Sequence, residues 1–585
     1  MGLASAESHP ELWDRLVRDF GPKRKVTKKH PKIHFANAFI GNYLRLELLS
    51  RAGLSAQIVD ETRGYFAGMA EQTGTLWEVD SATASCDHGF ASYAAVLLFR
   101  DVLGIRSVDA ENKVVTVRPD KDLPLSFCRG TVPLSDGEVL SVSWRKEGSE
   151  LKLECRAPSG WRIVDAEALA ERGAWFREAR FGMFIHWGIY SIPAKGEWSY
   201  AYDKYAPGEY EANAKRFNPV NYNPREWAKL AKSAGMKYAV LTSRHHDGFC
   251  MFDSHFTDYK ITKSPYGKDA VREFLEAFRA EGLKVGLYHS LPDWTHPGYA
   301  DTESPECIRG GKKTPHVPTP EQYASFTNLV YDHVNQLTTE YGKLDLLFLD
   351  YTSQTKANVD YFGRDRLLEM IYRNQPDILV NDRLSYYKDN CRDFDYYTPE
   401  ICVPNQPQKV KGREVMWETC ATMNDHWGYC REDQNWKTPE AVIAGLVGCV
   451  SRSGNLLLNV GPTELGEIPE SSVRILKALA DWQAVHGESV TGCGKSEFTP
   501  PYGCVYTQKG NNLYCHFLQS PLGDTILSQL RGKVEKATLL RTGEDVEQIN
   551  NWGFELLKFD EQRIRTRAIR PGDVIRICLK KGEVK

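Results

Sequence analysis

The middle of the chain, from about residue 171 to residue 487, alternates short apolar runs with amphipathic segments. The runs are short and β-prone, whereas the segments between them carry apolar residues at helical spacing. In one such segment, residues 223–235, Asn223 is placed to cap a helix, Pro224 takes its first position and Gly235 ends it. The predicted strands are residues 182–190, 238–243, 284–291, 344–350, 377–381, 393–397, 414–419 and 456–460.

Eight strands joined by helices over roughly 300 residues predict an α/β fold, a (β/α)8 barrel. A doubly wound sheet would need a Gly-rich phosphate turn after its first strand, and none is present. Residues 488–585 hold short β-prone runs separated by Gly, Asn and Pro, which predict an antiparallel β-sandwich. Residues 1–165 combine two helical segments, 35–52 and 91–103, with short strands over 113–161. Three domains are therefore predicted: 1–165, 171–487 and 488–585.

Composition narrows the class of protein. Among 585 residues, 74 Lys and Arg face 77 Asp and Glu, and a net charge of −3 argues against nucleic acid or an anionic membrane as the main partner. No apolar run approaches the roughly 18–20 residues that cross a bilayer, and no apolar signal region is visible. The 14 cysteines lack zinc-site spacing and are interpreted as reduced thiols. These features predict a cytoplasmic protein.

Polar and aromatic residues follow the predicted strands, and the active site of a (β/α)8 barrel lies at the C-terminal ends of its strands. The set contains imidazoles, indoles, an arginine and carboxylates, without a cofactor-binding loop. In chain order these residues are His186, Trp187, Glu197, Trp198, Arg244, His245, His246, Asp247, Tyr288, His289, Trp294, Asp350, Arg383, Glu400, Trp417 and Glu418.

This set suits a sugar. Indole faces match the apolar side of a pyranose, and two carboxylates flanking a glycosidic bond, one ionised and one protonated, are what hydrolysis requires. Other interpretations exist, because an Asp after a strand often caps a helix and a His-His-Asp cluster resembles a metal site. The adjacent His245 and His246 reach one pocket only where the strand breaks, and Gly248 offers that break. The coincidence at seven strand ends favours the glycosidase interpretation.

Taken in order, several motifs resemble the α-L-fucosidases of glycoside hydrolase family 29 over about residues 171–490. They are WFREARFGMFIHWGIYSIPAKGEW, LTSRHHDGFCMFDS, LYHSLPDW, VNDR, TPE, MWETC, HWGY and GNLLLNVGPTELGEIP. The resemblance implies a retaining exo-α-L-fucosidase that releases terminal α-L-fucose through a covalent fucosyl-enzyme intermediate. It implies no metal and no organic cofactor, and a fucose-bearing glycan or glycoside as substrate.

The resemblance also implies residue roles. Asp350 at the end of strand four is the expected nucleophile, although Phe348 stands where the family usually has Trp. Glu400 of the TPE motif is the expected general acid/base, with Glu418 as the second candidate, and Arg244 replaces a common Lys. The sugar-binding residues implied are His186, Trp187, Glu197, Trp198, His245, His246, Tyr288, His289, Arg383 and Trp417. Because Phe348 alters the pocket wall, a catalytically silent fucose-binding protein stays an alternative.

Residues 1–165 resemble something else, the C-terminal part of family 78 α-L-rhamnosidases, on the motifs RGYFAGMAEQTGTLWE and CDHGFASYAAVLLFRDVLGI. Glu78 matches a Glu that can serve there as the general base. The general acid and most of the sugar pocket of such an enzyme would lie upstream of Met1, so α-L-rhamnosidase activity is the less favoured alternative. We expect this segment to be structural or to form a homo-oligomer interface.

Overall fold

The computed structural model divides into two compact units, Met1–Glu171 and Arg172–Lys585. It describes the chain except for residues 1–9, 22–23, 34–39, 52, 79–82, 84, 87–92, 111–112, 135–136, 149, 159–160, 166–171, 204, 207, 300–307, 310–311, 314–317, 351–362, 385–393, 411–412, 550–559 and 581–585. Within the described residues no helix is both long and apolar enough to span a membrane.

The first unit combines helices with two small sheets. Its α-helices are Pro10–Arg18, Arg24–Thr27, Ile40–Arg51, Ser55–Glu61, Ala67–Thr73 and Tyr93–Leu97, and π-helical turns cover Thr62–Phe66 and Leu98–Leu103. One sheet contains Ile105–Asp109, Val114–Val117 and Arg162–Asp165, and the other contains Phe127–Pro133, Val139–Glu147 and Glu150–Arg156. The predicted helices and strands of this segment are therefore present, apart from those parts of residues 35–52 and 91–103 that lie outside the described residues.

The second unit is built around eight parallel strands, which confirm the predicted barrel. Strands one to eight are Phe181–Ile185, Tyr238–Arg244, Lys284–Ser290, Leu346–Asp350, Leu379–Val380, Tyr396–Tyr397, Met416–Thr422 and Asn455–Val460. They lie in the order 5-4-3-2-1-8-7-6, and a parallel bridge between Asn381 and Tyr396 joins strand five to strand six. Strand one ends at Ile185, earlier than predicted, and a 3-10 turn follows at Ile189–Ser191.

Helices surround the strands, as the periodic pattern predicts. One helix precedes strand one, others lie between strands, and the last follows strand eight; they include Ala174–Ala179, Ser199–Tyr202, Pro224–Ser233, Ala270–Ala280, Pro320–Glu340, Arg364–Asn374, Pro439–Val450 and Glu470–His486. The Asn223 side chain accepts a hydrogen bond from the Glu226 backbone N–H, which confirms the predicted cap. Thr319 and Gln322 form a capping box at the longest of these helices, Pro320–Glu340.

The barrel buries two apolar layers because successive strand residues point to opposite faces. Phe184, Tyr288 and Phe348 belong to the inner layer, whereas Met183 and Ile185 belong to the outer layer between strands and helices. This alternation decides which strand-end residues face the mouth of the barrel.

The C-terminal part of the second unit contains two antiparallel sheets. The first has the order Cys504–Lys509, Asn512–Phe517, Val574–Leu579, Val534–Leu539, and the second has the order Thr525–Ser528, Glu561–Ile564, Gln548–Ile549. A core of their own, including Leu513, Leu527 and Ile575, lies between them. The indole of Trp482, on the last barrel helix, donates to the Gly572 carbonyl at 2.8 Å and ties this part to the barrel.

Candidate active site

A cavity of about 220 Å³ lies at the C-terminal ends of the barrel strands. It is smaller than the roughly 300–1,000 Å³ of pockets for drug-sized ligands, and it therefore suits one sugar ring. Its lining residues are Phe184, His186, Trp198, His245, His246, Tyr288, Phe348, Asp350, Arg383, Glu400, Cys420 and Trp427. Of the sequence-predicted residues, eight are brought together here: His186, Trp198, His245, His246, Tyr288, Asp350, Arg383 and Glu400.

Asp350 lies at the base of this cavity, at the last position of strand four. The Tyr288 hydroxyl donates to its Oδ2 at 2.6 Å, and Arg383 Nη1 donates to its Oδ1 at 2.7 Å. Burial would raise the pKa of this carboxyl, but the charge of Arg383 and the hydrogen bond from Tyr288 outweigh burial and lower the pKa below its ordinary value. Asp350 is therefore ionised at neutral pH, as a nucleophile must be.

Glu400 lies at the rim of the cavity and shares Arg383 with Asp350. Arg383 Nη2 donates to Glu400 Oε2 at 2.6 Å, and the Glu400 side chain is 40% exposed. One guanidinium thus contacts both carboxyl groups, and Glu400 Oε2 can accept this hydrogen bond while Oε1 carries a proton. Carboxyl groups stand about 5–5.5 Å apart in retaining glycosidases and about 6.5–9.5 Å apart in inverting ones, so two carboxyl groups on a single guanidinium are close enough to act on one glycosidic bond.

Arg383 is itself oriented by a residue that the sequence reasoning did not single out. Its Nε donates to Thr398 Oγ1 at 3.1 Å. The Thr398 hydroxyl and backbone N–H both donate to Asp382 Oδ1, at 2.5 and 3.0 Å. Asp382, Arg383 and Thr398 therefore form a short chain of hydrogen bonds that aims the guanidinium at the two carboxylates. The VNDR and TPE motifs are separate in sequence, and their side chains join in this one hydrogen-bonded chain.

Three buried imidazoles form the wall around Asp350. His186 Nδ1 donates to Asn459 Oδ1 at 2.7 Å. The Ser290 hydroxyl donates its own proton to the Pro292 carbonyl, so Ser290 Oγ accepts from His246 Nδ1 at 2.6 Å. Burial lowers the pKa of both rings to about 4 and lowers that of His245 well below its ordinary value. All three rings are therefore neutral at neutral pH. In His186 and His246 the proton on Nδ1 leaves Nε2 as an acceptor for a substrate hydroxyl.

His245 and His246 enter the cavity together because strand two ends before them. The strand stops at Arg244 with an irregular register at Thr242–Arg244, and Gly248 follows with φ +78°. The His245 ring stacks on Tyr288 at 5.5 Å, and its Nδ1 is buried without a hydrogen-bond partner among the described residues. A buried polar atom of this kind is satisfied when a ligand hydroxyl binds.

Three residues predicted for sugar binding lie on the outer side of the strands. Each follows or precedes an inward-facing neighbour, so the alternation of the strand directs it away from the cavity. Trp187 packs on Trp227 and donates to the Thr463 carbonyl. His289 contacts Ser243 and His333 behind the barrel, and Trp417 donates to the Arg452 carbonyl.

Two further candidates are also buried outside the cavity lining. Glu197 Oε2 accepts a hydrogen bond from the Gly428 backbone N–H at 2.8 Å, so it holds the loop that carries Trp427. Arg244 is fully buried, where its Nη2 donates to the Ser290 carbonyl at 2.6 Å. Both therefore support neighbours of the pocket.

Glu418, the second candidate for the acid, faces the interior of the barrel below the cavity. It is 0% exposed, and its contact is the hydroxyl of Tyr238, the first residue of strand two. Burial raises the pKa of Glu418 to about 8. The structure therefore favours Glu400 over Glu418 for a role at the glycosidic bond.

Phe184, Cys420 and Trp427 also line the cavity, although they are not among the residues that the sequence predicted for it. A signal existed for two of them, because Phe184 and Cys420 lie two positions from His186 and Glu418 and hence on the same face of their strands. Trp427 lies in a loop whose position no periodicity gives. Among the residues that the structure describes, no group of three or more His, Cys, Asp or Glu side chains is placed to hold a metal ion.

Comparison with known proteins identifies the family. The α-L-fucosidase family model matches residues 159–488. The tissue α-L-fucosidase of Bos taurus is 31% identical over 428 residues, 68% of this chain and 86% of the relative, and that of Homo sapiens is 32% identical over 388 residues, 62% and 78%.

Solved structures agree. α-L-Fucosidase isoenzyme 1 from Paenibacillus thiaminolyticus matches with a TM-score of 0.66 and 39% identity, over 71% of this chain and 100% of that one. A family 29 α-L-fucosidase from Bacteroides thetaiotaomicron, trapped as a covalent intermediate, matches with a TM-score of 0.62 and 26% identity, over 70% and 96%. With this fold, this cavity and these relatives, the chain belongs to the α-L-fucosidases of glycoside hydrolase family 29, which are retaining glycoside hydrolases.

Proposed function

We propose that this α-L-fucosidase uses Asp350 as its nucleophile and Glu400 as its general acid/base. The observation that carries the proposal is the position of Arg383, which binds both carboxylates, one at the buried base of the cavity and one at its rim. A buried, ionised group is suited to attack the anomeric carbon. A rim group with access to solvent is suited to serve the leaving oxygen and then water.

The reaction takes two displacements. In the first, an Asp350 oxygen bonds to the anomeric carbon while the bond to the leaving oxygen breaks and Glu400 gives that oxygen its proton. In the second, Glu400 takes a proton from water, the water oxygen bonds to the anomeric carbon, and the ester bond to Asp350 breaks. Two inversions at one carbon give net retention.

The neutral imidazoles hold the sugar. His186, His245 and His246 present uncharged ring nitrogens to the cavity, so they exchange hydrogen bonds with hydroxyls without bringing a competing positive charge to Asp350. Because the cavity suits one ring and its base is buried, the fucose is expected to be terminal. The substrate is therefore a glycan or glycoside that ends in α-L-fucose.

Hydrolysis of an aryl α-L-fucoside, run beside the matching α-L-rhamnoside, tests the proposal. We expect turnover of the fucoside alone, with α-L-fucose as the first product seen by NMR. Asp350→Asn removes the nucleophile and should lower kcat by about 10³-fold or more. An Asp350→Asn enzyme with most of its activity would disprove the assignment, and fucose binding without any hydrolysis would favour a silent binding protein.

For residues 1–165 we propose a non-catalytic role, as a rhamnosidase-like segment that is structural or mediates a homo-oligomer. Two observations support this role. The α-L-fucosidase family model begins only at residue 159, and Met1–Glu171 is a compact unit separate from the unit that contains the barrel. A protein lacking 1–170 should lose thermal stability or change its number of subunits in sedimentation, while it keeps the kinetics of fucoside hydrolysis. An unchanged number of subunits together with unchanged thermal stability would refute the role.

We also propose that the enzyme works in the cytoplasm. A reducing compartment would keep the thiol of Cys420, which lines the cavity, unmodified. Fractionation of cells that produce the protein tests this, and recovery from a secreted or periplasmic fraction would contradict it.

A further inference from the structure

An exposed aromatic side chain stands next to the cavity and has no part in the chemistry above. Tyr202 is 76% exposed, and its ring stacks on that of Trp198 with centroids 5.5 Å apart and planes 21° from parallel. Trp198 lines the cavity. The two rings therefore continue the cavity wall outward into solvent.

Trp198 is fixed in place from the inside. Its ring meets Trp294 edge-to-face at 4.9 Å and His246 at 5.5 Å, and both of those residues are buried. Tyr202 thus extends a surface whose inner end is rigid. A rigid aromatic face loses little conformational freedom when a ligand ring binds to it.

Helix stability does not account for Tyr202. Trp198 and Tyr202 are four residues apart, and such a side-chain pair on a helix stabilises it only slightly. The helix here is the single turn Ser199–Tyr202, whose inner residues Ser199, Tyr200 and Ala201 are already buried. What sets Tyr202 apart from a single exposed ring is its stacking on Trp198, which makes one contiguous aromatic surface that begins in the cavity and ends in solvent, as binding surfaces do.

The leaving group must pass over the rim of the cavity. Asp350 and the three imidazoles close the base, while Glu400, which would protonate the leaving oxygen, is 40% exposed. The group attached to that oxygen therefore lies outside the cavity, where Trp198 and Tyr202 supply an apolar face.

We infer that Trp198 and Tyr202 form a subsite for the leaving group, and that its occupant is a sugar ring of a fucosylated glycan. The apolar face of a pyranose stacks on the Tyr202 ring, and the exposed Tyr202 side chain places its hydroxyl where it can bind a sugar hydroxyl. This inference rests on the proposed function, because it takes Glu400 as the group at the leaving oxygen. It names the substrate class as fucosylated glycans, in preference to fucosides with small alkyl leaving groups, which have no ring to stack.

Two substrates with and without a leaving-group ring test the subsite. The kcat/KM of an α-L-fucosyl disaccharide is compared with that of α-L-fucosyl fluoride, which has no such ring. In Tyr202→Ala the ratio of the two values should fall about 3- to 10-fold, mainly through the KM of the disaccharide. Tyr202→Phe keeps the aromatic face and should keep most of the ratio. Tyr502→Ala, at a tyrosine that is 94% exposed before the first C-terminal strand, is the matched control.

An unchanged ratio in Tyr202→Ala would overturn the subsite, and so would an equal loss on both substrates, which would indicate a structural role. Absence of turnover of either substrate by the wild-type enzyme would contradict the proposed function instead. Calorimetry on Asp350→Asn then decides about the subsite: adding Tyr202→Ala should weaken binding of the disaccharide but not of free fucose. Equal binding of the disaccharide with and without Tyr202→Ala would overturn it.

Discussion

The carboxyl groups of Asp350 and Glu418 both face the interior of the barrel, but their pKa values are shifted in opposite directions. Asp350 ends strand four at the mouth, where Arg383 and Tyr288 bind it and its pKa lies below the ordinary value. Glu418 lies deeper, where its contact is the uncharged Tyr238 hydroxyl and burial raises its pKa to about 8. Both are buried carboxyls on inward-facing positions, so burial alone does not explain the difference.

The difference comes from position along the barrel axis. At the mouth, loops after strands five and six bring a guanidinium to the carboxylate, and a paired charge stays ionised. Deeper in the barrel the inner layer is apolar and aromatic, so an acid there is more stable as the neutral form. The barrel interior thus has a reactive end at the mouth and a structural end below it. Substitutions at the reactive end should lower turnover, whereas a substitution at the structural end should change stability.

Replacing Glu400 by Gln removes the acid at the reactive end. The kcat/KM of an α-L-fucosyl disaccharide should fall by about 10²–10⁴-fold, the usual contribution of a general acid. A fucoside whose leaving group is a strongly acidic phenol needs little protonation and should lose less than about tenfold. A leaving-group series measures this divergence. If Glu418→Gln showed this dependence on the leaving group and Glu400→Gln did not, Glu418 would be the general acid and the two ends of the barrel would be assigned wrongly.

Replacing Arg383 by Lys tests what keeps Asp350 ionised. Lysine offers a point charge and cannot bind two carboxylates with a planar fork, so kcat/KM should fall by about 10- to 100-fold. Lysine keeps the positive charge but loses the hydrogen bond by which Arg383 also lowers the pKa of Asp350, so that pKa should rise and the acidic limb of the pH profile of kcat/KM should move to higher pH. An acidic limb at the wild-type pH would show that this hydrogen bond does not lower the pKa of Asp350.

Replacing Thr398 by Val removes the hydrogen bond that orients Arg383 and keeps the shape of the side chain. We expect a loss of about 3- to 10-fold in kcat/KM, with a smaller shift of the acidic limb in the same direction as for Arg383→Lys. Thr398→Ser keeps the hydroxyl and should restore both values. Equal loss in the Val and Ser variants would mean that packing, not the hydrogen bond, matters at this position.

Replacing Glu418 by Gln changes the structural end and should alter turnover by less than about twofold. Its effect is on stability. In the wild type the unfolded chain releases this proton near its ordinary pKa while the folded chain keeps it up to about pH 8, so raising the pH favours unfolding. Between pH 5 and pH 8, denaturant unfolding should therefore show stability falling more steeply in the wild type than in Glu418→Gln. Parallel curves would contradict a neutral Glu418.

The order of residues along the chain was enough to predict the barrel and the list of candidate site residues. Eight apolar runs with helical segments between them predict eight strands, and side chains at strand ends meet at one edge because parallel strands share a direction. Local signals such as the Asn223 cap were readable because they depend on neighbouring residues alone. The motifs also indicated the family and suggested Asp350 and Glu400 as the two catalytic carboxyl groups.

Which of those candidates meet in the cavity depends on how the strands pair in the folded chain. His186 and Trp187 are neighbours, as are Tyr288 and His289, and which member faces the mouth depends on where each strand begins and how it pairs. The depth of Glu418, the hydrogen bonds that join Thr398 to Arg383, and the stacking of Tyr202 on Trp198 are likewise three-dimensional facts. Burial and electrostatic pairing arise between segments that are distant in sequence, whereas periodicity is a property of one segment. The sequence pattern therefore predicted the strands and helices but not the contacts between their side chains.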